Sequence, residues 1–263
     1  MSAFHSIMRA LVTALLLSLL PLPASANAPE QSLAQANSDY LEGGYGDAID
    51  GWSTLVEGGA VSGDLLYNIG NAHYRQGELA KALLSWRRAA LLSPRDGDIR
   101  ANIDRARSER VDLLDDPEGM EVMFWRGSLS MMEQAWLSAL FLAALGALLI
   151  ARRARGGRRI GGALPVAIPA LLLGLPGLLL ALSSISQQLK LESSPEGVVL
   201  VEQLSVRSAG AGGVVLFELH AAAEVEVRER VGEVWLIEVA ELGSGWVPGE
   251  SIGLIDPSLS PRL

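Results

Sequence analysis

The 263-residue chain contains no cysteine. That excludes a disulfide framework, a thiol nucleophile, a zinc-thiolate site and a lipidated cysteine. Histidine is nearly as scarce, with three in all. His5 lies in the N-terminal stretch. His73 and His220 fall in different regions, without the partners that metal ligation or a nucleophilic triad needs. Asp96-Gly97-Asp98 opens like a calcium loop, but Arg107 stands at the twelfth position, where a glutamate is required. A helix cap is the better use of Asp96, because its carboxylate can accept the unpaired N–H groups of a helix start. Positive charge is also in deficit: 21 Lys and Arg against 30 Asp and Glu, a net charge of −9. Such a surface repels phosphate backbones, so no nucleic-acid role is expected. The sequence offers no catalytic residue, no metal site and no cofactor site.

What the chain has in abundance is apolar sequence: 49% hydrophobic residues and a mean hydropathy of +0.29. Residues 1–26 read as a secretory signal peptide. His5 and Arg9 precede an apolar run, prolines break it, and Ala24-Ser25-Ala26 is a small-x-small cleavage site. Two later runs, Gln134–Ala151 and Ile160–Gln188, lack any charged residue and are long enough to cross hydrocarbon. Glycines and prolines in the second predict a kink. No ionisable residue interrupts either run, which argues against a transporter. Between them "RRARGGRR", Arg152–Arg159, places five arginines in eight residues. A short basic loop between spans is the signal for the cytoplasmic side. The sequence therefore predicts a two-helix transmembrane hairpin in a bacterial inner membrane. The flanking regions then lie on the periplasmic side, and both are acidic.

The stretch "LYNIGNAHYRQGELAKALLSWRRAALLSP", Leu66–Pro94, spaces small and aromatic residues as the 34-residue tetratricopeptide (TPR) repeat does, and resembles it. Gly70 and Ala82 allow two helices to approach closely, Gly77 serves the turn between them, and Pro94 ends the second. Stepping back 34 residues, Asn37, Tyr40, Gly43, Ala48 and Trp52 match Asn71, Tyr74, Gly77, Ala82 and Trp86. This earlier copy is degenerate, with Ala36 in the place of Gly70. Asp98–Leu114 reads as a capping helix, with Ile99, Ile103 and Ala106 on one face. The resemblance implies a concave groove lined by Asn37, Tyr40, Tyr67, Asn71, Tyr74, Arg75 and Arg105. In peptide-binding relatives the asparagine position bonds an extended peptide. The lysines of a full carboxylate clamp are missing, and Arg75 and Arg105 are the available positive charges. The other reading is that these residues serve the repeat itself and the groove holds the chain's own segment around Met120–Trp125.

After Lys190 the periodicity changes to two, with short strands and glycine-rich turns. "ERVGEVW" predicts a hairpin turning at Gly232. The order of these strands, with Trp235 and Gly245-Trp246-Val247, resembles a bacterial SH3-like domain. Both tryptophans are expected in its core, with a ligand groove as the alternative. The "AGAGG" loop lacks the proline usual in that family.

The expected organisation is a signal peptide (1–26), a TPR domain of two repeats plus cap (27–114), a linker (115–132), spans at 133–152 and 160–186 around an arginine-rich cytoplasmic loop (153–159), and an all-β SH3-like barrel (190–263). As a whole this order is similar to the BatE-type proteins of bacterial aerotolerance operons. The resemblance implies a non-enzymatic scaffold in envelope stress tolerance, working beside von Willebrand factor A-type membrane proteins and a MoxR-type ATPase. The alternative is a peptidoglycan-binding or remodelling accessory protein, since SH3-like domains often accompany cell-wall hydrolases.

Overall fold

The computed structural model describes residues 27–112, 129–154, 170–193, 195–210, 212–240 and 242–256. The expected signal peptide, most of the 115–132 linker and the 155–159 part of the arginine-rich loop lie outside these residues, as does the Met120–Trp125 segment.

Five helices come first: α1 (Asn27–Leu41), α2 (Tyr45–Glu57), α3 (Gly63–Arg75), α4 (Leu79–Leu92) and α5 (Gly97–Glu109). They pack as two helix-turn-helix pairs followed by a single helix. Their starts are encoded locally. The Ser62 hydroxyl accepts the Leu65 N–H at 3.2 Å, and the Asp96 carboxylate accepts those of Asp98 and Ile99 at 2.9 and 3.2 Å. The turns inside the pairs use Gly43 and Gly77, with φ of +86° and +82°, a region that disfavours side chains.

Repetition at 34 residues extends to the packing. The rings of Tyr40 and Trp52 lie 5.6 Å apart at 46°, and those of Tyr74 and Trp86 lie 5.6 Å apart at 44°. Each pair of helices also needs one close approach. In the second pair, a Cβ on Gly70 would sit 2.6 Å from the Trp86 indole. In the first pair Ala36 occupies that position, and the space is recovered on the facing helix. A Cβ on Gly51 would lie 2.8 Å from the Ala36 Cβ, whereas Ser85 stands at the corresponding place in the second pair. Trp52, Leu66, Ile69, Leu83, Trp86 and Ile99 are buried in one continuous core.

The next helix, α6 (Met131–Ala154), starts with a reciprocal capping box. Ser130 N–H donates to the Glu133 carboxylate at 2.9 Å, and Glu133 N–H donates to the Ser130 hydroxyl at 3.2 Å. Its segment Met132–Ala151, 20 residues with a mean hydropathy of 2.0, is long and apolar enough to cross a membrane. A π-helical turn (Ala170–Gly174) leads into α7 (Leu175–Ser193). Residues 160–169 of the second expected span lie outside the described residues, and its described apolar stretch is Leu171–Ser186. The two helices do pack together. The Ser138 hydroxyl donates to the Gly177 carbonyl at 2.9 Å, and a Cβ on Gly177 would lie 3.0 Å from the Phe141 Cβ.

Helix α7 continues past residue 190, so the β region begins later than expected. Its strands are β1 (Glu196–Val199), β2 (Gln203–Arg207), β3 (Val215–His220), β4 (Glu224–Val231), β5 (Val234–Val239), β6 (Gly243–Pro248) and β7 (Ile252–Leu254). They form one antiparallel sheet in the order β3-β2-β6-β5-β4-β1-β7. The β4–β5 hairpin turns at Gly232, where the sequence places it. Bulges between Val206 and Arg207 and between Val227 and Glu229 bend the sheet over a core of Val206, Leu219, Val227, Ile237 and Val247.

Candidate protein-binding site

The seven residues expected in the groove lie on α1, α3 and α5, and most are already engaged. The Trp52 indole donates to the Asn37 Oδ1 at 3.0 Å. The Trp86 indole donates to the Asn71 Oδ1 at 3.2 Å, and the same oxygen accepts the Asn102 amide at 3.1 Å. An indole N–H can only donate, so it fixes each carboxamide with its oxygen toward the core. The NH2 of Asn37 and of Asn71 is then what each side chain offers outward. The Tyr74 hydroxyl donates to Glu109 at 2.9 Å, and that bond raises the phenol pKa. The exposed Arg75 guanidinium donates to the Tyr40 oxygen, and that bond, with the charge interaction of Tyr40, raises the Arg75 pKa. Arg105 lies beside Tyr74 and is exposed. Tyr67 is half-buried against the helical core. The structure thus gathers Tyr40 with Arg75 in one place, and Tyr74, Arg105 and Glu109 in another.

Trp235 and Trp246 do not share one environment. In the regular β5–β6 pairing, Trp235 opposes Val247 and Leu236 opposes Trp246. Trp235 therefore lies on the same face as buried Ile237 and Val247. Trp246 lies with Leu236 on the other face, so the expectation of two core tryptophans is corrected for Trp246 by strand alternation. Both are half-buried. The Arg230 guanidinium stands 5.0 Å above the Trp235 ring, and a Cβ on Gly249 would lie 2.5 Å from that indole.

His73 is buried, and its Nδ1 lies 2.6 Å from the Glu78 carboxylate. Burial lowers its pKa, and the bond and charge of Glu78 offset only part of that. His220 meets Asp112 twice: the backbone N–H at 2.6 Å and Nδ1 at 3.0 Å.

Sequence reasoning missed the junction between the helical repeats and the sheet. Glu224, at the start of β4, is 8% exposed. Arg107 of α5 holds it bidentately, Nε to Oε2 at 2.7 Å and Nη2 to Oε1 at 3.0 Å. Arg110 donates to Oε2 at 3.0 Å with its side chain 4% exposed. Arg87 of α4 lies 3.0 Å from Oε1 and reaches Glu196 of β1 at 2.5 Å. Burial pushes the Glu224 carboxyl up, but the Arg107 bond and the three positive charges prevail, and its pKa is lowered. Next to Arg87, buried Arg88 donates to the Leu254 carbonyl of β7 at 3.0 Å. Burial brings the Arg88 pKa down to about 10, with Asp256 pulling the other way. Val198, Ala222 and Ile255 of the β region complete the contact by joining the helical core. A signal did exist: Arg87-Arg88 sits in the middle of a helix whose other faces pack.

Residues 63–96, α3 and α4 with their flanks, match the tetratricopeptide repeat family. No curated protein matches the chain. Repeats of this family generally mediate protein–protein interaction, which is what the matched repeat suggests for residues 63–96.

Proposed function

We infer that the chain is a non-enzymatic, membrane-anchored scaffold. It binds an extended segment of another protein on the concave face of its TPR array and carries a second, SH3-like module at its C-terminus. The observation that carries this reading is the double Asn–Trp arrangement, in which the Trp52 and Trp86 indoles bond the carboxamide oxygens at two equivalent repeat positions and leave the NH2 donors uncommitted by those bonds. The apolar 20-residue segment of α6 supports the anchor. The small, bent antiparallel sheet, with half-buried Trp235 against Gly249, supports the SH3-like assignment. The arginine-rich loop supports a cytoplasmic hairpin tip, with both modules on the periplasmic side of a bacterial inner membrane. The whole order of segments supports a place in a Bat/MoxR-type complex.

Asn71→Ala combined with Arg75→Ala should keep its helix content and fold, with a lower melting temperature, because the Trp86 indole and the Asn102 amide lose their acceptor at a cost of about 1–3 kcal/mol. The same variant should lose the partner that co-purifies with the wild type from detergent extracts. Retention of that partner by the folded variant removes the groove from the function. For topology, cysteines introduced at Gly156 and at Ser208 should label oppositely with an impermeant thiol reagent in spheroplasts, Ser208 being the accessible one. Labelling of Gly156 alone refutes the orientation.

A further inference from the structure

The junction concentrates unusual electrostatics in a small space. Arg87 of α4, Arg107 of α5 and Arg110 just beyond the end of α5 all share the Glu224 carboxylate. Glu196 is the second carboxylate on Arg87. Among the described residues these three cations share two carboxylates, and Glu224 and Arg110 are 8% and 4% exposed. A partly buried like-charge cluster is poorly screened by salt and water. Removing one member of a buried ion pair is far more disruptive than replacing the whole set by neutral groups. Apart from the ion cluster, the contact is made by Val198, Ala222 and Ile255 with partly buried Leu200 and Ala221, by Arg88 on the Leu254 carbonyl, and by Asp112 on His220. The β module has a core of its own, and Val198, Ala222 and Ile255 are shared with the helical core.

We propose that Glu224 is the pin of a docked–undocked switch between the TPR array and the β module. With the carboxylate charged and in place, the β module is held against α4 and α5 and both modules move as one body. When the charge is lost, or drawn away by a competitor for the three guanidiniums, Arg87, Arg107 and Arg110 repel. The module then swings free while staying folded, and the two remain tethered through α6 and α7. The docked form fixes the distance between the two candidate binding faces. The undocked form lets each face reach its own partner.

The chain has no cysteine, so Thr54→Cys in α2 and Ser244→Cys in β6, both exposed, allow unique paired spin labels in the full chain in nanodiscs. The wild-type background should give one narrow distance distribution. Glu224→Gln should shift the docked-to-undocked ratio by about a hundredfold or more, making a broad, longer distribution dominant while circular dichroism stays unchanged. Glu226→Gln, which removes a surface partner of Arg228, should keep the narrow distribution. Adding Arg107→Gln and Arg110→Gln to Glu224→Gln should restore much of it, because the surplus charge is gone. A narrow distribution in Glu224→Gln overturns the proposal. So does a triple variant no more docked than Glu224→Gln, or loss of helix or strand signal in Glu224→Gln.

Discussion

Gly70→Ala tests the packing of the second repeat at its tightest point. The added Cβ would lie 2.6 Å from Cδ1 and Nε1 of Trp86, closer than real Cβ contacts, so one partner must move. Trp86 has little room, since its side chain is 1% exposed and Tyr74 stacks at 5.6 Å. Its indole is also tied to Asn71. Overpacking of this kind costs about 1–3 kcal/mol. Displacing the indole weakens a hydrogen bond contributing about 1 kcal/mol. Against these, alanine is favoured over glycine inside a helix by about 1 kcal/mol. The balance is a destabilisation of roughly 1–3 kcal/mol, which lowers the melting temperature by about 2–4 °C per kcal/mol in a protein of this size. Thermal circular dichroism on the full chain in detergent measures it. Gly97→Ala, where a Cβ meets nothing within 4 Å, is the control and should be neutral or slightly stabilising. A Gly70→Ala protein that melts at or above the wild-type temperature refutes the claim that close approach at this position holds the repeat together.

Trp52→Phe should destabilise by about 2–4 kcal/mol, because a buried indole is cut to a single ring and Asn37 loses its indole donor; urea titration gives the value. Buried His73 has a lowered pKa, so its folded form favours the neutral ring. Its contribution is full above the unfolded pKa of about 6.5 and is lost as pH falls through the folded value. Melting temperature should therefore drop between pH 7 and 5, and His73→Gln should flatten that drop. Trp235→Ala should cost about 3 kcal/mol and Trp246→Ala clearly less, since only Trp235 lies on the core face; calorimetry that ranks them the other way refutes the assignment of faces.

Local chemistry made the helical region readable. Gly77, Trp86 and Pro94 each answer to a turn, a packing site or a helix end a few residues away, and a second copy 34 residues earlier repeats the pattern. The Asp96 cap and the Gly232 hairpin were legible for the same reason. The capping box of Ser130 and Glu133 has an equally local signature, S-x-x-E, and could have been read. Glu224 and its arginines lie more than 100 residues apart in the chain, and no periodicity links them. The groove was legible as positions but not as chemistry: the asparagines look free in the sequence, and only the fold shows an indole on each oxygen. Trp246 failed because its face depends on a register that composition does not encode.

The exchange of small residues between the two repeats restricts how such a chain can change. One copy has glycine on its first helix and serine on its second, Gly70 and Ser85, and the other has Ala36 and Gly51. A Cβ at position 51 facing Ala36 would meet it at 2.8 Å, so the combination of alanine with serine is a steric dead end. Divergence of one arrangement from the other has a single open order of steps, through glycine on both helices. Gly51→Ser should therefore be better tolerated in an Ala36→Gly background than alone, and the two substitutions should be strongly non-additive.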